Sequence, residues 1–181
     1  MNNVILICGE PGSGKTTLMW NIIEQRKEWI NVEPVKLLNA MYNKTDDLYI
    51  LGKYEKGEVF AGTDRLSMAV QPVAVEFIQN STSDFLIEGY RLFNRKFIDS
   101  VMKMPGKKLS IVHLDVDQNT LKARYKERGT NQNEEFLRSR ATKVSNITNA
   151  FDLMDVVHSF GHMNKSDLVG ITQYINDTLR Q

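Results

Sequence analysis

Val4-Ile5-Leu6-Ile7-Cys8-Gly9-Glu10-Pro11-Gly12-Ser13-Gly14-Lys15-Thr16 joins an apolar run to a glycine-rich turn that ends in Lys-Thr. An apolar run of this kind is a buried strand, and the spacing of Gly9, Gly14, Lys15 and Thr16 is that of a P-loop. Such a turn aims consecutive backbone N–H groups at a polyphosphate, with the lysine reaching the β- and γ-phosphates and the threonine hydroxyl holding Mg²⁺. The dipole of the helix that follows favours the same negative charge, so turn and helix form one anion site. A chance glycine turn would have neither the strand before it nor the helix after it.

Working outward, 181 residues fit one domain, and 41% hydrophobic with 25% charged residues is ordinary for a globular protein. The net charge of +1 advertises no global basic field, so any polyanion site has to be a local cluster. Cys8, the only cysteine, sits inside the first apolar run and reads as a small buried hydrophobe, which leaves no disulfide or thiolate cluster within the chain. Met1-Asn2-Asn3 leads straight into the strand, and no apolar stretch approaches membrane-spanning length. The expectation is a cytoplasmic protein without a membrane partner.

Along the chain, residues 16–29 carry helical spacing, with Leu18, Ile22, Ile23 and Ile30 near one face. Pro34 separates this helix from a short strand over 35–40, and 48–51 is a further strand candidate; the two suggest an irregular or hairpin-like insertion. Then come a helix over 70–78, a strand over 84–89, a helix over 94–104, a strand over 109–114, helices over 117–128 and 134–154, a strand over 155–160, and a last helix over 166–179. Strands separated by helices predict a three-layer α/β sandwich: a five-stranded, mostly parallel sheet with helices on both faces, whose ligands bind beyond the carboxyl ends of the strands. The whole of 1–181 reads as a single domain, with an arginine-rich, lid-like segment over about 125–142.

A P-loop identifies a phosphate donor but leaves the acceptor open. Glu88 ends an apolar strand, where a carboxylate holds Mg²⁺ directly or through water, or is simply a turn residue. Asp64, in a Gly-Thr-Asp-Arg turn, is placed either to accept the proton of an attacking hydroxyl or to cap a helix. Arg65 beside it either clamps a phosphate or is solvated. Arg124 and Arg128 share a helix face, and Arg138 and Arg140 follow a polar segment; these read equally as a lid that neutralises the transferring group and as a solvated face with i,i+4 pairs. His113, His158 and His162 have no metal-ligand spacing. Asn164-Lys165-Ser166-Asp167 matches the NKxD pattern that reads guanine, but the only DxxG, starting at Asp167, falls inside the last predicted helix, so the motif reads mainly as a helix start. A small possibility of GTP use remains with it.

The loop, Arg124 and Arg128, and the lid arginines Arg138 and Arg140 together resemble the adenylate-kinase-like P-loop kinases, over most of the chain. Residues 51–72, LGKYEKGEVFAGTDRLSMAVQP, and 86–92, LIEGYRL, look like the phage-type 5-hydroxymethyluridine DNA kinases, which phosphorylate the base hydroxymethyl group in DNA on the way to hypermodified thymidines. The resemblance implies that Gly12, Ser13, Gly14, Lys15, Thr16 and Thr17 hold ATP, with Thr16 and Glu88 at the Mg²⁺ and Arg124 near the adenine. It makes Lys15, Asp64 and Arg128 the catalytic residues, with Asp64 the base for the acceptor hydroxyl. Arg65 and Arg91 become substrate contacts, and Arg138 and Arg140 supply lid charge. The implied partner is DNA containing 5-hydroxymethyluracil, and the implied location the host cytoplasm if the protein is phage-encoded. A base in a duplex has to leave the stack to be modified, which gives Tyr54, Phe60 or Tyr90 a supporting role if they are not packing residues. A kinase for a nucleoside monophosphate or other small molecule, and a non-catalytic nucleotide-binding module, are the competing readings.

Overall fold

A computed structural model describes residues 1–58, 60–129, 133–162 and 164–180. Seven strands form one sheet: β1 (Asn2–Cys8), β2 (Trp29–Val35), β3 (Leu38–Asn43), β4 (Leu48–Leu51), β5 (Asp84–Glu88), β6 (Lys107–Asp115) and β7 (Val157–Gly161). Their order is β2-β3-β4-β5-β1-β6-β7. Strands β4, β5, β1, β6 and β7 run parallel, while β2 pairs antiparallel with β3 and β3 with β4.

Residues alternate across β1, and the two faces meet different helices. Val4, Leu6 and Cys8 pack with α2 (Val70–Asn80), α3 (Arg95–Met102) and α5 (Glu134–Thr148) through Val70, Ala74, Ile78, Phe97, Ile98, Val101, Val144 and Ile147. Ile5 and Ile7 face α1 (Lys15–Glu24) and α6 (Asp167–Leu179) through Leu18, Met19, Ile22, Leu168, Ile171 and Ile175. Helix α4 (Gln118–Arg128) buries only Leu121; Asp117 caps it by accepting from the amides of Asn119 and Thr120. Because β1 is fully buried on both faces, it reads as a continuous apolar run, the pattern of a central parallel strand.

The sheet has seven strands where five were expected. The difference lies in the segment between α1 and β4. The helix ends at Glu24, and Trp29–Val35, which the helical reading had absorbed up to Trp29, is strand β2. Ile30, placed by its spacing on the helix face, is 53% exposed on that strand. β2 is an edge strand without buried residues, and it carries Pro34 where the register shifts between Val32 and Val35. An edge position and a bulge are where a sheet tolerates proline, and a strand exposed on this scale lacks the apolar signal of the central ones. β3 accordingly starts at Leu38 rather than Val35, and pairs with β4 as a hairpin. The long helix over 134–154 stops at Thr148 and passes into a 3-10 turn, Phe151–Leu153. Residues 130–132 of the expected lid lie outside the described residues. Among the described residues no helix is long and apolar enough to cross a membrane.

Candidate active site

At the carboxyl ends of β1 and β5 the chain opens a cleft of about 1050 Å³. Its floor is the P-loop. Gly14 precedes α1 in the left-handed conformation (φ 97°), and no side chain caps the helix and no acid sits in its first turn. An uncapped helix start leaves backbone donors and a positive dipole end for an anion. Gly12, Gly14, Lys15, Thr16 and Thr17 line the cleft, while Ser13 is fully buried beneath it. Lys15 Nζ donates to the carbonyls of Gly9 (2.9 Å) and Glu10 (3.0 Å), so the ammonium rests on its own loop. Burial lowers its pKa, an effect opposed chiefly by the Glu88 carboxylate.

Glu88 ends β5 beside this lysine and is 4% exposed. The Thr16 hydroxyl donates to its Oε1 (3.3 Å) and the Tyr54 hydroxyl to its Oε2 (3.1 Å). Burial pushes the Glu88 carboxyl up to about 7, against the pull of Lys15 and the Tyr54 hydrogen bond. A hydroxyl and one carboxylate side by side suit Mg²⁺, a hard cation that keeps several waters and takes its remaining ligands from phosphates. Among the described residues no group of three His, Cys, Asp or Glu side chains forms a site able to hold a metal ion.

The Gly-Thr-Asp-Arg turn folds flat against the end of β5. Its bridge from Lys53 to Gly62, and the Thr63 hydroxyl donating to the Glu88 carbonyl (2.9 Å), hold it there. Gly62 adopts φ 71°, and a Cβ on it would come within 2.6 Å of the Glu88 carbonyl oxygen. This contact delivers Asp64, in the 3-10 turn Thr63–Arg65, to the cleft wall. Asp64 Oδ1 accepts from the Arg91 amide (3.0 Å), and the Arg91 guanidinium reaches the Asp64 carbonyl (3.4 Å) and Met68. Arg91 Nε is buried without a partner among the described residues. Arg65 pairs with Glu55 at 3.0 Å.

Opposite them, Arg140 of α5 lies 4.4 Å from the centre of the Tyr90 ring and 4.9 Å from that of Phe136, and Lys143 donates to the Tyr90 carbonyl (3.0 Å). Stacking of this kind holds a guanidinium by cation–π attraction. Exposed Phe60 and Met68 stand at the mouth. The structure thus brings Lys15, Thr16, Asp64, Arg65, Glu88, Arg91, Arg128 and Arg140 to one cleft. It places Arg124 behind the loop, donating to the Gly12 carbonyl (2.9 Å), and leaves Arg138 exposed on α5, outside the cleft wall.

Sequence reasoning did not assign Lys143, Phe136, Tyr125 or His162 to the site. Except for Phe136, which meets Arg140 one turn along α5, their partners are distant in sequence: Lys143 reaches the Tyr90 carbonyl, the Tyr125 hydroxyl donates to the Pro11 carbonyl (2.6 Å) and His162 Nε2 meets the Ser13 carbonyl (2.5 Å). Tyr54, weighed as a base-stacking aromatic, is buried with its hydroxyl on Glu88, and Tyr90 holds the Gly9 carbonyl through its own hydroxyl (2.7 Å). Asn164 and Asp167 close a turn before α6: Asn164 Oδ1 accepts from the Ser166 and Asp167 amides, and Asp167 Oδ2 from the Asn164 amide. This is the helix start that the NKSD segment suggested.

A family model described as P-loop Nucleotide Kinase3 matches residues 1–156. No curated protein matches the chain. Among solved structures, an unliganded crystal structure of a sugar kinase from Janibacter sp. HTCC2649 matches with a TM-score of 0.50 and 15% identity, over 97% of this chain and 95% of that one. At this identity the likeness is one of fold.

Proposed function

Since the chain belongs to the P-loop nucleotide kinase3 family, and is thus a nucleotide-binding P-loop kinase, we propose that it transfers the γ-phosphoryl of ATP to the hydroxymethyl group of 5-hydroxymethyluracil in DNA. The observation that carries the acceptor reading is the rim of the cleft. Arg65, Arg91, Arg140 and Lys143 surround Asp64, with Phe60 61% and Met68 80% exposed beside them. Local cations fit a phosphodiester backbone and exposed apolar side chains fit a flat base taken out of its stack. The resemblance of residues 51–72 and 86–92 to the hydroxymethyluridine DNA kinases points the same way.

In this reading Gly12, Ser13, Gly14, Lys15, Thr16 and Thr17 hold the triphosphate, and Arg128 with the lid residue Arg140 adds positive charge around the transferring group, while Arg138, outside the cleft wall, takes no part. The lid is the segment of about 125–142 of a single kinase domain. Thr16 and Glu88 hold Mg²⁺, which when bound neutralises charge on the β- and γ-phosphates. Asp64 takes the proton of the acceptor hydroxyl as that oxygen bonds to the γ-phosphorus; the bond from phosphorus to the β–γ bridging oxygen breaks and ADP leaves. Arg65 and Arg91 orient the acceptor.

The near-neutral net charge of +1 favours a second reading, a small-molecule hydroxyl as acceptor, such as a nucleoside monophosphate or a sugar like that implied by the description of the Janibacter kinase. ATP labelled on its γ-phosphate, offered with 5-hydroxymethyluracil DNA, thymine DNA, nucleoside monophosphates and sugars in parallel, separates the two. Label on the hydroxymethylated DNA alone is the expected result. Label on a soluble acceptor overturns the DNA reading, and ATP binding with no label on any acceptor favours a non-catalytic module.

A further inference from the structure

The five consecutive carbonyls of residues 9–13 each accept a hydrogen bond from a side chain. Tyr90 and Lys15 donate to Gly9, Lys15 to Glu10, Tyr125 to Pro11, Arg124 to Gly12, and His162 meets Ser13. Three of these donors sit on α4 and beyond β7, more than a hundred residues from the loop. A trans peptide is planar, with its C=O and N–H pointing in opposite directions. A carbonyl held from behind the loop therefore leaves the next residue's N–H pointing away from that holder. Tyr125 on Pro11 does this for Gly12, and His162 on Ser13 does it for Gly14, and both glycines line the cleft.

His162 is the donor in this set with the least reason to be there for packing alone. It is 4% exposed, its amide is held by the Asp115 carbonyl (3.1 Å), and its Nδ1 has no partner among the described residues. A buried ring nitrogen without a partner costs stability that an apolar side chain of the same size would not. Its Nε2 faces a carbonyl oxygen, which only accepts, so Nε2 carries the hydrogen. The ring also packs on the left-handed turn: a Cβ on Gly14 would stand 3.4 Å from His162 Cε1.

We propose that His162 is a positioning residue of the phosphate site, acting through the Ser13–Gly14 peptide to aim the Gly14 N–H at the nucleotide's phosphates. It rests on the loop's reading as a nucleotide site, and it requires no particular acceptor. The consequence is specific to phosphate: His162 supports the polyphosphate and makes no contribution through the base.

Two variants test this, with binding measured by calorimetry for ADP and for inorganic tripolyphosphate. His162→Phe keeps a ring and removes the donor; it weakens both ligands by the same factor, about tenfold for one lost hydrogen bond. His162→Gln keeps an N–H at comparable reach and recovers most of that loss. Tripolyphosphate binding unchanged in His162→Phe overturns the proposal, as does equal loss in both variants. A loss for ADP without one for tripolyphosphate also overturns it, because it marks a base contact. Nitrogen NMR of the unaltered protein answers the question if the variants do not fold: the Nε2–H tautomer is expected, with the Gly14 amide shifting on tripolyphosphate addition, and the Nδ1–H tautomer or an unshifted amide overturns the proposal.

Discussion

In the proposed mechanism Asp64 and Lys15 act on opposite halves of the reaction and differ in what their loss removes. In that mechanism Lys15 is the cation of the donor site; its Nζ rests on two loop carbonyls and over the Tyr90 ring, beside the Glu88 carboxylate. Lys15→Ala is expected to abolish transfer while thermal unfolding stays cooperative; an active Lys15→Ala protein would remove the P-loop from the mechanism. With Asp64 as the proposed base for the acceptor hydroxyl, Asp64→Asn should lower kcat by about 10²- to 10⁴-fold, the usual range for a general base, with ATP affinity little changed. Equal losses in turnover and ATP affinity would end its assignment as a base. Cys8 makes a different point at this scale. Burial pushes its thiol up to about 12, so at pH 8 almost no thiolate exists to react. Maleimide should label the folded protein very slowly and the urea-unfolded protein fast, as read by mass spectrometry; fast labelling of the folded chain would contradict the packing of β1.

Among the elements, the Gly-Thr-Asp-Arg turn depends most on close backbone approach. Gly52, Gly62 and Gly89 all have positive φ, and a Cβ on any of them would meet the neighbouring turn or strand at 2.2–2.6 Å. Gly62→Ala is expected to cost about 1–3 kcal/mol of stability from the backbone conformation and to displace Asp64 from the cleft. Chemical denaturation and turnover measured together check this: unchanged turnover in a destabilised protein would show that the position of Asp64 is independent of the turn's fit. The sequence marked this turn by its glycines and polar residues, and marked α2 by apolar spacing, α4 by its Asp117 cap and α6 by the NKSD segment that starts it. It did not mark β2, because an exposed edge strand containing proline lacks the alternation that a buried face imposes.

At the scale of the whole molecule, a net charge of +1 coexists with a cleft rim carrying Arg65, Arg91, Arg140 and Lys143. If these contact phosphates of a DNA acceptor, affinity should fall with salt with a log–log slope of about −2 to −4, and Arg140→Ala should reduce that slope by about 1. A slope near zero, measured by fluorescence anisotropy, would move the acceptor to a neutral small molecule. The donor end of this cleft was legible without coordinates, because strand, glycine turn, lysine and helix are contiguous and a P-loop closes through its own backbone. Glu88 and Asp64 were legible as strand-end and turn acids. What surrounds them was not: Tyr54 on Glu88, Tyr90 and Tyr125 on the loop carbonyls, and His162 behind Gly14 meet their partners across 34 to 149 residues of chain. A contact between adjacent residues leaves its trace in local spacing and propensity. One between distant residues exists only once the sheet has ordered its strands, so the local sequence determined the phosphate site and the tertiary structure alone decided which side chains hold it in shape.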